Sequence, residues 1–318
     1  MLAKKILVTG CGGDIGYIVG YILKQAGVAE KVIGTDIAAG HTGEGLFDAC
    51  RQVMPASSPG YLDNLQNIIK QENIDVLIPG SEPELRTLLA AGLTERIAGI
   101  PVVAANAKAL TIGFDKLATA QYLAAVGLPA PWTKLVAEGE PDALPCIVKD
   151  RVGSGSRGFA VVHDELDVKY FSQKRPDAIW QQYLGTDDQE YTCGLYRTGG
   201  GEIRTIIIRR RLQGGHTHSG EIIADSRIER ALTALATSLD LQGSINVQLR
   251  LTSEGPFVFE INPRFSSTVG FRNSLGFCDL LWALAEKCGQ PPDKYIEPEA
   301  GTRFFRTYCE KIILPRGG

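Results

Sequence analysis

The chain has the size and composition of a globular protein with more than one hydrophobic core. It contains 318 residues, of which 44% are hydrophobic and 22% are charged. Its formal net charge of -3 gives no electrostatic reason to expect nucleic acid as a partner. No apolar stretch approaches the roughly 20 residues that a membrane-spanning helix needs, so we expect no membrane partner.

The cysteines and the first residues favour a cytoplasmic location. The seven cysteines are scattered and form no CxxC pair, which predicts reduced thiols and argues against a disulfide framework or a zinc site. The first residues lack the longer apolar region and the small-residue cleavage site of a signal peptide.

Strand and helix patterns alternate through the first hundred residues. Apolar runs at 6–8, 32–36, 75–79 and 101–104 predict strands, and residues 15–25, 61–71 and 82–91 have helical spacing. This alternation is typical of a parallel sheet that is covered by helices on both faces. We therefore predict an α/β, doubly wound, Rossmann-like domain over residues 1–105.

A second pattern begins after about residue 106. A helix is predicted over 115–126, and short strands follow at 146–149, 158–162, 179–183, 189–195 and 204–211. Most of these strands lie too close together for crossover helices, which favours an antiparallel sheet. A helix over 228–239, a hairpin of strands 244–251 and 256–261, and a helix over 275–287 complete an α+β domain over 106–318.

A glycine-rich turn joins the first strand to the first helix. Residues 10–16 read Gly-Cys-Gly-Gly-Asp-Ile-Gly, and Asp36 lies twenty residues further on, as in many dinucleotide-binding folds. Tyr170 and Lys174 also match the Tyr-x-x-x-Lys pair of short-chain dehydrogenases. Pro176 interrupts the chain just after Lys174, which disfavours this alternative of an NAD(P)-dependent oxidoreductase. A tight turn that binds no nucleotide explains the glycines equally well.

Polar side chains gather at the end of the second strand of the predicted hairpin. Residues 259–264 read Phe-Glu-Ile-Asn-Pro-Arg, and strand alternation places Glu260 and Asn262 on one face. Gln248, on the preceding strand, could approach the same face. Carboxylate and amide oxygens suit a hard cation such as Mg²⁺ or Mn²⁺, and Arg264 could reach a phosphate held by that metal. A solvated edge strand accounts poorly for such a group within an apolar run.

Glu-x-Asn-Pro-Arg at the close of one strand, with Asn-Val-Gln on another, resembles the ATP-grasp superfamily. The likeness is to the large subunit of carbamoyl phosphate synthetase and its shorter carboxylate–amine ligase relatives. The resemblance implies that Gln248, Glu260 and Asn262 bind the metal and that Arg264 contacts the transferring phosphate. It also implies that ATP lies between a small subdomain, about 115–185, and a larger one, about 186–318.

Further motifs occur in the order that the resemblance predicts. Lys116 would begin a helix, Lys149 would end a strand before a glycine-rich flap, the backbone of residues 183 and 184 would read adenine, and Glu190 would bind ribose. The implied ATP contacts are Lys116, Lys149, Gly153, Ser154, Gly155, Ser156, Gln181, Gln182, Tyr183, Leu184 and Glu190. The sequence departs from the family at two places. In the hinge, which is the segment 180–184 that would face adenine, Gln181-Gln182 replaces a common glutamate. After Lys149, Asp150 replaces a frequent proline.

The resemblance implies an ATP-dependent ligase that joins a carboxylate to an amine, or to another nucleophile, through an acyl phosphate. Lys149 and Arg264 would be the catalytic residues, the products would include ADP and phosphate, and a homodimer is compatible with the sequence. A nucleotide-binding module without activity is a further alternative. Arginines 209–211 could hold a substrate carboxylate or form a solvated strand. Residues 214–218 are expected to form a surface loop, whereas Ser266, Ser267 and Arg272 could contact substrate.

Overall fold

The computed structural model describes residues 1–153, 158–185 and 189–307. The strands are β1 (Ala3–Thr9), β2 (Ala29–Asp36), β3 (Ala49–Gln52), β4 (Val76–Ile78), β5 (Arg96–Ile97), β6 (Ile100–Pro101), β7 (Thr133–Leu135), β8 (Cys146–Asp150), β9 (Ala160–Val162), β10 (Ala178–Gln182), β11 (Glu190–Arg197), β12 (Ile203–Gln213), β13 (His216–Ile222), β14 (Gly243–Thr252), β15 (Gly255–Asn262) and β16 (Arg303–Phe305). The helices are α1 (Asp14–Ala26), α2 (Tyr61–Glu72), α3 (Glu82–Ala90), α4 (Ala107–Gly113), α5 (Lys116–Ala125), α6 (Glu165–Lys174), α7 (Ser226–Ser238), α8 (Val269–Ser274) and α9 (Asp279–Lys287).

The N-terminal region forms a parallel sheet with the strand order β3-β2-β1-β4. Alternate residues of β1 face opposite cores: Ile6 and Val8 pack with α1, whereas Leu7 packs with α2. The predicted α/β class is therefore confirmed. The strand predicted at 101–104 is wrong, because Pro101 ends a two-residue pairing with β5 and only Val102 bridges to the parallel sheet, at Leu77.

A small antiparallel sheet follows, with the order β7-β10-β8-β9. Val148 of β8 and Trp180 of β10 share its core with Val168 of α6. The sequence reasoning missed both β7 and α6. In α6 only Val168 is buried, so the helix carries almost no apolar periodicity to detect.

A large six-stranded sheet has the order β15-β14-β11-β12-β13-β16, with antiparallel pairing throughout. The predicted antiparallel α+β architecture is confirmed, including the β14–β15 hairpin. Residues 216–218, predicted as part of a loop, instead begin β13. The helix predicted over 275–287 is confirmed only from Asp279 onward, as α9, because Gly276 has a φ of 85° that an α-helix cannot contain.

One hydrophobic core joins the N-terminal sheet to the large sheet. Val8 of β1 and Val19 of α1 pack in the same cluster as Tyr196 of β11 and Ile208 of β12. The opposite face of the large sheet packs on α7, through residues such as Leu232. The N-terminal region is thereby held against the face of the large sheet that carries the polar residues described next. Within the described ranges, no helix is long and apolar enough to cross a bilayer.

Candidate active site

A cavity of about 890 Å³ lies between the small and large antiparallel sheets and is closed on one side by the N-terminal region. Most of the side chains predicted from the sequence line it: Lys116, Lys149, Gly153, Gln181, Gln182, Leu184, Glu190, Gln248, Glu260, Asn262 and Arg264. Tyr183 lies between two lining residues, and its own side chain is 37% exposed. Ser154, Gly155 and Ser156 lie outside the described residues.

The oxygen-bearing residues are brought together by the register of the β14–β15 hairpin. Gln248 pairs with Glu260, and Asn246 pairs with Asn262, so all four side chains lie on one face. No protein hydrogen bond among the described residues involves the side chains of Gln248 or Glu260, while Asn262 Oδ1 accepts a bond of 3.3 Å from Arg264. This all-oxygen set, without thiol or imidazole, fits a hard divalent cation.

A β-bulge beside Gln248 places Phe259 at the cavity. Gln248 pairs with Glu260 but Leu249 pairs with Val258, so Phe259 is the extra residue of β15. Its ring centroid lies 5.3 Å from the Lys149 Nζ. An apolar ring in a cavity with this many polar groups offers a surface for a planar ligand. Sequence reasoning missed Phe259 because alternation without a bulge places it on the opposite face.

Two lysines extend from different elements toward this cavity. Asp115 caps α5 through the backbone N–H groups of residues 117 and 118, which fixes Lys116 at the first position of the helix. The Lys116 Nζ donates to the Gly153 carbonyl at 2.7 Å, at the edge of the predicted flap. Lys149 is buried near the end of β8, and burial lowers its pKa to about 8, although the charge of Glu260 opposes this change.

The pleat of β10 separates the two hinge glutamines. Gln181 pairs with Ile147 and lies on the face that carries Lys149, whereas Trp180 faces the core of the small sheet. The Gln181 amide donates to the Thr133 hydroxyl at 3.0 Å, which orients its side chain. Gln182 lies on the opposite pleat and accepts a long bond from the Trp132 backbone. Gln181 is therefore the glutamine whose side chain is fixed on the Lys149 face.

Glu190 lies between two guanidinium groups. Arg210 donates to its Oε1 atom at 2.5 and 3.0 Å, and Arg250 donates to its Oε2 atom at 3.0 Å. Of the three consecutive arginines, Arg210 lines the cavity, as strand alternation allowed. Its carboxylate partner is Glu190 of the protein and not the substrate carboxylate considered in the sequence analysis. Arg209, on the other face, pairs with Glu221 at 2.7 Å. Sequence reasoning missed Arg250, although it follows Gln248 by one full pleat.

The N-terminal region supplies one wall of the cavity. Asp14 and Ile15 at the start of α1 line it, and Asp14 lies 3.8 Å from the His216 Nδ1. Arg264 Nε lies 4.0 Å from Glu82 at the start of α3, and burial lowers the Arg264 pKa against the opposing charges of Glu82 and Glu260. The segment from Ser81 to Glu84 follows a strand of the sheet and was a candidate ligand site in the sequence, but its contact with Arg264 and that of Asp14 with His216 could not be predicted, because nothing local relates residues more than 180 positions apart.

The residues after β15 divide into two groups. Ser266 and Ser267 line the cavity, as predicted. Arg272 does not reach it, because its side chain is fully buried and donates to Asp279 at 2.9 Å. A second long bond of 3.4 Å reaches the Asn246 Oδ1. Arg272 therefore contacts the site only indirectly, through its hydrogen bond to the side chain of Asn246.

In the glycine-rich turn, side chains of the protein occupy the space where a nucleotide phosphate would lie. The Gly12 N–H donates to an Asp36 carboxylate oxygen at 2.8 Å, and a Cβ atom on Gly12 would lie 2.6 Å from the His41 Cβ. A pyrophosphate would have to displace both groups and would meet the negative charge of Asp36. Tyr170 and Lys174 lie on α6, in the small sheet's layer and not beside this turn. The arrangement disfavours the oxidoreductase alternative.

Comparison with protein families identifies two regions of the chain. Residues 6–103 match the model described as the PylC-like N-terminal domain, and residues 174–306 match the model described as ATP-grasp in the biosynthetic pathway with Ter operon. The chain is also 25% identical over 254 residues to the carbamoyl phosphate synthase large chain of Streptomyces avermitilis. The aligned region covers 71% of this chain and 23% of that protein. The chain thus spans about a quarter of the length of this relative.

Solved structures share the whole fold. The N5-carboxyaminoimidazole synthetase of Staphylococcus aureus, solved with ADP, superposes with a TM-score of 0.74 at 17% identity and covers 93% of this chain and 80% of that one. The L-amino acid ligase of Bacillus licheniformis gives a TM-score of 0.70 at 18% identity, covering 92% and 75%. The chain therefore contains an ATP-grasp domain over residues 174–306, which follows a PylC-like N-terminal domain over residues 6–103.

Proposed function

We propose that the protein is an ATP-dependent ligase that joins a carboxylate to an amine through an acyl phosphate. The observation that carries the proposal is the convergence of Gln248, Glu260, Asn262, two lysines and Arg264 on one cavity between two antiparallel sheets. Three oxygen ligands, two ammonium groups and a guanidinium are the groups that phosphoryl transfer from a metal–nucleotide complex requires. The similarity to the ligases named above supports the same class of reaction.

We place ATP across the cavity with its base near β10 and its phosphates near β15. Gln181 and the backbone of residues 183 and 184 would contact adenine, and Phe259 would cover its plane. Glu190 would accept from the ribose hydroxyls through lone pairs that the two arginines leave available. Lys116 and Lys149 would neutralise the triphosphate, with the flap at Gly153 above it.

Gln248, Glu260 and Asn262 would hold a Mg²⁺ or Mn²⁺ ion. When bound, such an ion supplies positive charge that offsets the charge of the terminal phosphates. Arg264 would then hold the transferring phosphoryl group, because it lines the cavity and its buried guanidinium donates to the Asn262 Oδ1 atom at 3.3 Å. These placements assign Lys149 and Arg264 as the residues that contact the reacting phosphate.

The proposed reaction has two steps. A carboxylate oxygen of the acceptor attacks the γ-phosphorus, the bond to the β-γ bridging oxygen breaks, and ADP leaves. The amine nitrogen then attacks the acyl carbon, inorganic phosphate leaves, and the nitrogen loses a proton. The acceptor would lie beside Ser266, Ser267 and the wall formed by Asp14, near Arg264. Exclusion of water by the surrounding walls would protect the acyl phosphate from hydrolysis.

The test follows oxygen from the carboxylate into phosphate. The full-length protein would be incubated with ATP, Mg²⁺, an amine mixture and a panel of carboxylates labelled with heavy oxygen. We expect carboxylate-dependent ADP release and one labelled oxygen in the inorganic phosphate. Release of AMP with pyrophosphate would refute the acyl phosphate, and ATP binding without turnover across the panel would favour a non-catalytic module.

A matched pair of variants in the β14–β15 hairpin controls for folding. Glu260→Gln removes a proposed metal ligand and should lower turnover by about 100-fold or more, the usual effect of losing one preorganised charge. Glu254→Gln makes the same chemical change in the exposed turn between these strands and should retain full activity. Equal loss in both variants, or in neither, would contradict the assignment of Glu260.

A further inference from the structure

Three potential metal ligands meet at one end of the N-terminal sheet, outside the cavity described above. Cys11 follows β1, His41 lies between β2 and β3, and Cys50 belongs to β3. Their ligand atoms all lie within 4.8 Å of one another, and Cys11 Sγ lies 3.8 Å from His41 Nε2. No other group of three such side chains with this spacing occurs within residues 1–153, 158–185 and 189–307.

The spacing matches what a tetrahedral metal ion requires. Bonds of about 2.3 Å to sulfur and about 2.1 Å to nitrogen place neighbouring ligand atoms roughly 3.5 to 3.8 Å apart. The distance of 3.8 Å between Cys11 Sγ and His41 Nε2 agrees with this value, and every other pair of ligand atoms lies within 4.8 Å, so side-chain movements of about 1 Å or less would close the site. Three protein ligands leave the fourth position for a water molecule, and His41 and Cys50 are only half-buried.

Glycines at three positions make room for this cluster. A Cβ atom on Gly34 would lie 2.6 Å from Cys11 Sγ, one on Gly12 would lie 2.6 Å from His41 Cβ, and one on Gly43 would lie 2.9 Å from His41 Nδ1. Real Cβ atoms do not approach other atoms this closely, so each position depends on the absence of a side chain. The packing around the cluster thus depends on glycine in three separate segments.

The scattered cysteines argued against a zinc site, but the fold brings two of them together beside a histidine. We propose that Cys11, His41 and Cys50 form a site for a thiophilic divalent transition metal ion of the zinc class. Two thiolates and one imidazole are the ligands that Zn²⁺ prefers over Mg²⁺. The ion would tie the segment between β2 and β3 to the glycine-rich turn. Asp14, three residues after Cys11, lines the proposed reaction cavity, so this tie would also fix one of the cavity's walls.

Binding requires a change of tautomer at His41. The Gly43 N–H donates to Nδ1 at 3.1 Å, which leaves the proton on Nε2, facing Cys11. Ligation through Nε2 replaces this proton and places one on Nδ1, so the Gly43 amide must turn away. Gly40 and Gly45 lie on either side of Gly43 and carry no side chain that would hinder this turn.

The experiment measures metal binding by the reduced, chelator-treated full-length protein. Zn²⁺ affinity would be measured against a chromophoric chelator, and Co²⁺ would serve as the spectroscopic probe. We expect one ion per chain with a thiolate-to-cobalt charge-transfer band. This band separates the cluster from the oxygen ligands of Glu260 and Asn262, which cannot produce it.

Variants on the half-buried side of the cluster keep the test independent of folding. Cys50→Ser and His41→Gln should each weaken Zn²⁺ binding at least about 10-fold. Cys288→Ser, a half-buried cysteine outside the cluster, should bind as the parent does. Absence of the cobalt band, equal binding by Cys50→Ser, or a Cys11–Cys50 disulfide that forms in air while Zn²⁺ fails to bind would each overturn the proposal.

Discussion

Replacement of Lys149 by methionine should make the ligand-free protein more stable while it removes ATP binding. Lys149 is buried, and its pKa is about 8 compared with 10.5 for an ordinary lysine. Each pH unit between these values corresponds to about 1.4 kcal/mol, so keeping the ammonium charged in the folded state costs about 3 kcal/mol. Methionine has a similar length and carries no charge to desolvate.

Part of this gain is offset by a lost contact. The Lys149 ammonium lies 5.3 Å from the Phe259 ring centroid, and such a contact contributes about 2 kcal/mol when the ammonium is buried. We therefore expect Lys149→Met to raise the free energy of unfolding by about 1 kcal/mol at pH 7. Urea denaturation without nucleotide measures this value, and ATP titration of the same sample measures the loss of binding.

The pH dependence of the free energy of unfolding independently tests whether Lys149→Met is stabilising. The folded-state pKa of Lys149 is lowered, so the unfolded chain binds more protons between pH 8 and pH 10.5. The cost is complete below pH 8 and disappears as the pH rises toward 10.5. The advantage of Lys149→Met over the parent should therefore shrink across this window.

Lys116→Met is the matched control. Lys116 is half-buried and also faces the cavity, so its replacement should weaken ATP binding while the free energy of unfolding changes by less than about 1 kcal/mol. A Lys149→Met protein that is less stable than the parent at pH 7 would refute the reasoning. So would an advantage that grows with rising pH.

Two further predictions concern packing around the site. Glu190→Gln should lower the free energy of unfolding by about 3 kcal/mol, because Arg210 and Arg250 would then face each other without a countercharge. Arg210→Met should lower it clearly less, because Glu190 keeps Arg250 as a partner. Urea denaturation measures both values, and the reverse order would contradict this account. Gly16→Ala should cost about 2 kcal/mol or more, because its Cβ would lie 2.1 Å from the Gly10 carbonyl oxygen. Gly13→Ala, whose Cβ would have its nearest contact at 3.4 Å, should stay within about 1 kcal/mol in the same thermal scan.

Much of the fold could be predicted because its signals are local. Alternation of strand and helix patterns predicted the parallel sheet, and closely spaced strands predicted the antiparallel ones. The failures occurred where the local signal was weak or misleading. Helix α6 buries only Val168, and residues 216–218 are polar residues of β13 that pair with β12 near an edge of the large sheet.

The sequence by itself determined which side chains share a face wherever a strand is free of bulges, since regular alternation along a strand needs no knowledge of its neighbours. Glu260 and Asn262 are grouped by that rule. Asp115 fixes Lys116 at a helix start, because its side chain accepts hydrogen bonds from backbone N–H groups only two and three positions further along the chain. Tertiary structure decided what those side chains meet. Contacts of Glu190 with arginines 20 and 60 positions away depend on strand register, as does the bulge at Phe259. The lowered pKa of Lys149 depends on burial between two sheets, which no local pattern encodes.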